Sequence, residues 1–580
     1  MTDSLLPAFL SPGLIMILGA LAGALAPAAL RSAVYLGVIA VSAAQLMSYA
    51  VGGMGAAVFY GEIEVLSLAL QTVRVDKLSF IFALIFHIAA AINVIYSFRI
   101  SSRTEDVMGL IYAGAAVGGA LAGDLVTLFV YWELAALSSV FIVWAPGTQS
   151  SYFAGLRYLV VQIASGLLLL TGLILHYRDT GSLAFEAFAL TDATGAVSLA
   201  ALFILLSFGI KAAFPLLHNW LQDSYPKASV TGAVVLSAFT TKLAVYALAR
   251  GFAGTDALIY IGATMTAFPV FFALIENDLR KVLAYSLNNQ VGFMVCAVGI
   301  GTELAINGAA AHAFVHIIYK ALLFMSMGAV LYRTGTAKAT ELGGLYRTMP
   351  WTTIFCIIGA MSISAFPLFS GFVAKSLISG AAAKEHLLLI WLVLLFASAG
   401  VLEHSGIKIP YFAFFAHDSG KRPKEAPPQM LIAMGIAAAL CIGIGIVPSL
   451  LYDLLPYKVK YEPYTADHVV TQLQLLLFAI LAFALLVKFK LYPDEVRSTN
   501  LDTDWFYRVP GRHLASWAVA ASGALWRATW GAFQNRLNAA LAQVYTLHGP
   551  EGRLARSWPV GSMALWTAVI LGAALIVNYL

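Results

Sequence analysis

The chain has 580 residues, of which 61% are hydrophobic and only 11% charged, with a mean hydropathy of +0.85. A soluble enzyme of this length has no way to hide so much apolar surface, so the composition points to a polytopic helical membrane protein. The apolar runs are too long and continuous for an outer-membrane barrel, and the net charge of +5 suits basic loops on one membrane side better than a nucleic-acid surface.

The N-terminal MTDSLLPAFLSPG has neither a basic stretch nor a cleavage-like site, so the first apolar run reads as a retained span. About sixteen runs are long enough to cross a bilayer, from 11–30 through to 560–579. Basic residues gather after the odd-numbered runs, among them Arg31, Arg99, Arg103, Arg157, Lys227, Arg280 and Lys281. That asymmetry puts the N-terminus outside and the odd-to-even loops in the cytoplasm. On the outer side, Tyr60 to Lys77 is polar and β-branched and reads as a short hairpin.

The run LVTLFVYWELAALSSVFIVW carries Glu133 at its middle, with Trp132 beside it. A carboxylate at membrane depth is costly unless it has a partner. Lys211, in FGIKAAFPLLHNWLQDSYPKAS, is the natural one. A cation at variable distance makes the pair a switch; a static pair that fixes helix packing is the simpler reading. Pro215 breaks the Lys211 helix, and a polar turn with His218, Asp223 and Lys227 follows. Carbonyls freed at membrane depth are tolerated only against protein or a water-filled cavity. The next run, TTKLAVYALAR, buries Lys242.

In HAFVHIIYKALLF, His312, His316 and Lys320 recur every four residues and share one helix face. One histidine on an apolar face is usually a satisfied core residue. Two in register with a lysine read as a proton wire, because imidazole takes up and releases protons near neutral pH. The spacing also suits a metal or haem, but a cation one turn on repels a metal ion, so no cofactor is expected. The first break has an echo: Ala213-Phe214-Pro215-Leu216 returns as Ala365-Phe366-Pro367-Leu368, with Lys375 following. Paired broken helices in the two halves of a transporter point to its site. The simpler reading of Lys375 is a lysine snorkelling from a helix end. Glu403, His404 and Lys408 form a further polar patch, read as an extension of the path or as a packing cluster.

Cys296, Cys356 and Cys441 fall in apolar runs at unrelated spacings and read as core residues. From Leu501 to Trp558 the chain is helical, Trp-rich and moderately polar. Trp505, Trp517, Trp526 and Trp530 suit headgroup level, so a helix along the cytoplasmic face is expected, followed by a last span at 560–579. The alternative is that 514–533 itself crosses. No glycine-rich phosphate loop, CxxC pair or HExxH occurs, so no redox or hydrolytic chemistry is expected of the chain itself.

Taken together, FVYWEL, FGIKAAFPLLHNWLQDSYPKAS, TTKLAVYALAR, NDLRKVLAYS, HAFVHIIYKALLF, ELGGLYRTMP and FPLFSGFVAK resemble the proton-conducting antiporter-like family. That family includes the D subunit of Mrp-type cation/proton antiporters and the L, M and N subunits of respiratory complex I. The resemblance covers roughly residues 75–416. It implies an all-α membrane fold of about fourteen core helices, with two inverted five-helix repeats at about 108–250 and 257–415, after N-terminal helices in 1–107 and before C-terminal spans in 429–488. It implies a coupled Glu133–Lys211 pair in the first half-channel, with Lys242 bridging to the centre. Lys320 would be the central lysine, with His312 and His316 beside it, and Lys375 the terminal group of the second half-channel. Trp132, Pro215, His218, Asp223, Pro367, Glu403 and Lys408 would support this path. Two departures fall in the first broken helix: Gln222 stands where the family's WLPD has proline, and Ser229-Val230-Thr231 lacks the usual proline. The extension over 501–580 is similar to the lateral helix and final span of the complex I L-type subunit. At ~1.5 Å per residue, a helix over 512–546 reaches ~50 Å, enough to clamp one neighbour.

The expected function is proton translocation as a subunit of a multisubunit Mrp-type monovalent cation/proton antiporter in a bacterial inner membrane. Its partners would be other membrane subunits, lipid, protons and sodium or potassium; no nucleic acid is expected. Two rivals stand beside it: a pumping subunit of a complex I-like, energy-coupled assembly, and a membrane scaffold that conducts nothing.

Overall fold

The computed structural model describes residues 10–50, 57–65, 68–191, 195–492, 496, 500–554, 556 and 559–580. Residues 1–9 of the N-terminal stretch and Trp558 lie outside them. Two compact units emerge, Met1–Asn500 and Leu501–Leu580.

The first unit begins with α1 (Pro12–Gly23) and α2 (Ala28–Ala50). An antiparallel hairpin follows, β1 (Val58–Val65) paired with β2 (Leu68–Val75), where the sequence reads as one. Next come α3 (Lys77–Ser97), α4 (Arg103–Leu121), α5 (Leu125–Trp144), α6 (Gln149–Thr180) and α7 (Leu199–Ala212). After the first break stand α8 (Asn219–Ser224), α9 (Gly232–Ala238) and α10 (Thr240–Gly251). Then follow α11 (Asp256–Ile275), α12 (Leu279–Ile300), α13 (Glu303–Thr334), α14 (Pro350–Ile363), α15 (Ser370–Lys384) and α16 (Leu388–Val401). The last of these runs on through π-helical turns at Leu402–Ile407 and Tyr411–Phe415 that flank α17 (Lys408–Pro410). The unit closes with α18 (Pro428–Ile446), α19 (Ser449–Tyr452) and α20 (Ala466–Lys488). Among the described residues, twelve helices of the chain are long and apolar enough to cross a membrane. Pro12–Gly23, Leu199–Ala212 and Pro350–Ile363 are shorter apolar helices. The chain is a multi-pass membrane protein.

Polar residues at the run boundaries start the helices. Ser11, Asp76, Ser102, Asp124 and Thr148 each cap a helix by accepting a backbone N–H in its first turn. Asp76 with Ser79 and Ser102 with Glu105 close full capping boxes. The loops tie together on two opposite faces. On one, Gly123 N donates to Gln71 O at 3.0 Å, Phe188 N to Gly251 O at 2.8 Å and Gly254 N to Val298 O at 2.9 Å. On the other, Arg31 pairs with Asp106 at 3.3 Å and Arg157 with Asp223 at 2.7 Å. Arg280 on that face reaches the carbonyls of Ala228 and Ser229 at 3.0 and 2.9 Å. The second face carries the loops in which basic residues gather and is called the basic face below.

At the centre, every residue of α13 from Ala305 to Val330 is buried, as expected of a helix that is apolar on all sides. Against it α12 packs tightly on α11. A Cβ at Gly262 would run into the Cys296 backbone, so the two helices touch main chain to main chain. All three cysteines are buried and free.

The second unit holds α21 (Asp504–Arg508), α22 (Pro510–His548) and α23 (Val560–Tyr579). At 39 residues, α22 is one unbroken helix of about 58 Å, longer than the 512–546 segment read from the sequence. None of its residues is buried within the chain, and Trp526 stacks on Trp530 at 5.7 Å.

Candidate functional site

The two sequence echoes are one structure built twice. Ala213 and Ala365 end their helices in the left-handed conformation, φ 64° and 58°. Leu216 and Leu368 repeat it at φ 71° and 72°. Phe214 N donates to Gly209 O at 3.0 Å and Phe366 N to Met361 O at 3.1 Å, the same wide closing turn. Left-handed backbone at a non-glycine residue costs of order 1–3 kcal/mol and persists only where its surroundings impose it. Four such residues at two matched breaks mark these turns as built features. Side chains reach carbonyls at both breaks. Trp220 Nε1 donates to Ile210 O at 3.0 Å, and Lys375 Nζ donates to Ile363 O at 2.7 Å.

Glu133 and Trp132 sit on α5 against α6 and α7. Trp132 Nε1 donates to Ser165 Oγ at 3.0 Å, and Ser165 Oγ donates to Ser207 O at 2.9 Å. Lys211 does not form a closed ion pair with Glu133. Its ammonium donates to Trp132 O at 2.5 Å and lies 4.3 Å from the Trp132 ring centroid. The Glu133 carboxylate rests instead in a notch at Gly166, where a Cβ would overlap it, and its Oε1 is buried with no hydrogen-bond partner. The two charges still act on each other. One turn before Gly166, the buried Gln162 amide also lacks partners at both atoms. Buried polar atoms without partners are places where ordered water belongs.

Lys242 follows a second irregularity, between α9 and α10, where Phe239 interrupts the helix. Its Nζ donates to Ser237 O at 2.6 Å. On α13, His312 stacks on His316 at 6.1 Å, and Tyr319 OH lies 3.2 Å from His312 Nε2. Tyr319 OH donates on to Gln290 Oε1 at 3.0 Å, and Gln290 Nε2 donates to Asn289 Oδ1 at 2.6 Å. Both His316 ring nitrogens and Lys320 Nζ are buried without partners. Among the described residues five lysines are buried: Lys211, Lys242, Lys320, Lys375 and Lys408. Four of them dock on main-chain carbonyls; Lys320 does not, with the Phe324 ring at 6.0 Å. Lys242, His312, His316, Lys320 and Lys375 are close enough to act on one another's charge. The helix of Lys211, α7, packs directly on α10, which carries Lys242.

Apart from Trp132 on α5, the supporting residues fall at the breaks or in irregular helix. Pro215 and Pro367 sit within the matched turns, His218 rings against Phe268 at 4.6 Å, and Asp223 is held by Arg157. Gln222, one of the two departures, is buried with both amide atoms unpartnered. At the other, Ser229 and Thr231 hydroxyls donate to the Glu105 carboxylate, which holds the loop where the family has proline. Glu403, His404 and Lys408 lie together in the π-helical stretch. Lys375 is 4% exposed and bonded inward, unlike a snorkelling lysine. Sequence reasoning passed over Tyr319 and the amides Asn289 and Gln290. The run Asn288-Asn289-Gln290 inside an apolar span was the available signal.

Residues 122–402 match the family described as NADH:quinone oxidoreductase/Mrp antiporter, TM. The D subunit of the Na(+)/H(+) antiporter of Alkalihalophilus pseudofirmus is 32% identical over 363 residues, 59% of this chain and 72% of that protein. The chain belongs to this family. Within it, hydrogenase-4 component B of Escherichia coli is 28% identical over 422 residues, 65% of this chain, and this chain spans only 62% of that relative. Two solved structures share the family fold. A chain of the Mrp complex from Dietzia sp. superposes with a TM-score of 0.68 at 22% identity, covering 76% of this chain and 95% of that one. A chain of the membrane-bound sulfane sulfur reductase, an archaeal respiratory membrane complex, superposes with 0.71 at 23% identity, covering 99% and 100%. This is an antiporter-like membrane subunit of the Mrp and complex I-like kind.

Proposed function

We propose that this chain translocates protons along Glu133, Lys211, Lys242, His312, His316, Lys320 and Lys375, as one subunit of a multisubunit membrane complex. The observation that carries the reading is Lys320. An amine at the centre of the bundle with no partner is a poor way to stabilise a fold, and a carrier must be free to exchange its proton with water. The other lysines of the path, Lys211, Lys242 and Lys375, are held lightly, each on one carbonyl and each near a break in its own or a neighbouring helix, so a small shift releases them. Glu133 and Lys211 are near enough to interact yet are not closed into a pair, which is the arrangement a switch needs. Charge moved on one member changes the proton affinity of the next, and coupling passes laterally. The basic face is assigned to the cytoplasm of a bacterial inner membrane, with the N-terminus outside.

The Lys211→Ala variant tests the relay. In vesicles holding the assembled complex, ion-driven pH change is expected to collapse; undiminished activity overturns the proposal. In the first reading the complex is an Mrp-type cation/proton antiporter, which the likeness to the Na(+)/H(+) antiporter chain of Alkalihalophilus pseudofirmus supports. A second reading, a pump within a redox-driven complex, is favoured by the Leu501–Leu580 unit, since the sulfane sulfur reductase chain matches it and the Mrp chain leaves about a quarter of this chain uncovered. Mass spectrometry of the intact complex separates them: partner subunits with iron–sulfur ligand motifs select the second.

A further inference from the structure

The stretch through Glu403, His404 and Lys408 is built in an uncommon way. π-Helical turns at Leu402–Ile407 and Tyr411–Phe415 widen the helix on either side of Lys408, a distortion that tends to mark functional sites. His404 and Lys408 are both 0% exposed. Lys408 Nζ donates to the carbonyls of Ala273, Leu274 and Glu276 at 3.3, 2.6 and 2.8 Å, capping the end of α11 with a fixed positive charge. His404 is held differently. Its Nδ1 lies 2.9 Å from Ser405 Oγ, and Ser405 Oγ donates to Ser286 Oγ on α12 at 2.7 Å. With Ser405 donating onward, Nδ1 is the protonated ring nitrogen and Nε2 the free one. Nε2 is buried and has no partner.

The turn that carries this ring is pressed against the second helix break. A Cβ at Gly406 would overlap Ser364 Oγ, a hydroxyl that is also buried and unpartnered. Ser364 follows Ile363, whose carbonyl receives Lys375. Lys320, Lys375 and Lys408 all act on the charge of His404, and Lys408 acts on that of Glu403 on the same turn. Ser286, at the other end of the hydroxyl pair, stands about 10 Å along α12 from its first residue, Leu279. There Glu276 pairs with Lys281 at 2.7 Å, and the Lys281 side chain, 28% exposed, reaches the basic face.

We propose that His404 is a proton carrier that joins Lys320 and Lys375 to the Glu276–Lys281 pair on the basic face, giving the second half of the bundle an opening of its own to that side. The inference rests on the reading of Lys320 and Lys375 as proton carriers. A proton from the Lys320 or Lys375 ammonium arrives at Nε2 as one leaves Nδ1 through the Ser405 and Ser286 hydroxyls and passes by water to the Glu276 carboxylate, and the ring returns by exchanging tautomers, so charge balances in each cycle. Lys408 does not carry the proton, since three carbonyls hold it.

The test uses the assembled complex in vesicles, with ion-driven pH change as the readout. His404→Gln keeps an amide toward Ser405 but carries no proton, and turnover is expected to fall about tenfold or more. His404→Glu, which can carry one, is expected to recover part of that loss; a merely structural ring would show no such difference. Wild-type turnover in His404→Gln overturns the proposal, as does equal loss in the Gln and Glu variants. Should the His404 variants not assemble, Ser286→Ala decides: a severalfold loss supports the branch and unchanged turnover overturns it. Each of these outcomes is distinct from the failure of the underlying reading, which shows as full activity in Lys211→Ala.

Discussion

Replacing Lys320 with methionine separates stability from transport. Lys320 is 0% exposed and no protein group accepts a hydrogen bond from its amine. An unpartnered buried polar group costs about 1–3 kcal/mol, and methionine fills a similar volume without that cost. The exchange is therefore expected to stabilise the subunit by about 1–3 kcal/mol while abolishing transport. At Lys375 the same exchange removes the 2.7 Å bond to Ile363 O and bares a carbonyl at a helix break, a loss of about 1–3 kcal/mol. At Lys408 it strips a cation from three carbonyls at the end of α11, a loss of about 3–5 kcal/mol. Thermal unfolding of the solubilised complex, followed by tryptophan fluorescence, should rank Lys320→Met above wild type, then Lys375→Met, then Lys408→Met. Vesicle transport should not follow that order. A Lys320→Met complex that melts earlier than wild type, or one that still pumps, refutes the reasoning.

Gly166→Ala pushes a methyl group into the space of the Glu133 carboxylate; vesicle transport should fall toward that of Glu133→Gln while assembly, judged by mass, is retained. Trp220→Phe removes the donor to Ile210 O and should loosen the first break by about 1 kcal/mol, seen as faster hydrogen exchange over 209–214. Asp76 gives a pH dependence outside the spans. Burial pushes its carboxyl up, but Arg250, the Ser79 amide and Arg74 outweigh burial and hold it below the usual carboxylate range. Because the folded value is depressed, its stabilisation is complete above the ordinary carboxylate pKa and is lost as pH falls through the depressed one. Protection of β1–β2 amides, measured against their intrinsic exchange rate at each pH, should therefore fall on acidification in the wild type, and Asp76→Asn should remove that dependence.

Much of the fold was legible because membrane helices announce themselves. Each expected apolar run coincides with a helix or a broken pair of helices, since backbone groups in lipid have nowhere else to bond. The matched breaks were legible as a tetrapeptide repeat, though their left-handed alanines and leucines were not: φ at Ala213 or Leu368 depends on what the closing turn must satisfy. The Glu133–Lys211 contact was expected as a pair and is not closed, because a carbonyl and an indole ring outcompete the carboxylate for the ammonium. Spacing along one chain says nothing about such competition.

What the sequence by itself determined is which ionisable groups are sunk at membrane depth, since burial in an apolar run needs no partner to be read. Only the tertiary structure decided which of them are tied down and which are free. Lys408 and Lys320 look alike in the sequence, each a lysine in an apolar run near histidine. One closes on three carbonyls at the end of a neighbouring helix and the other on none: the end of α11, more than a hundred residues away, offers free carbonyls to Lys408, while the helices packed around Lys320 offer its amine no acceptor.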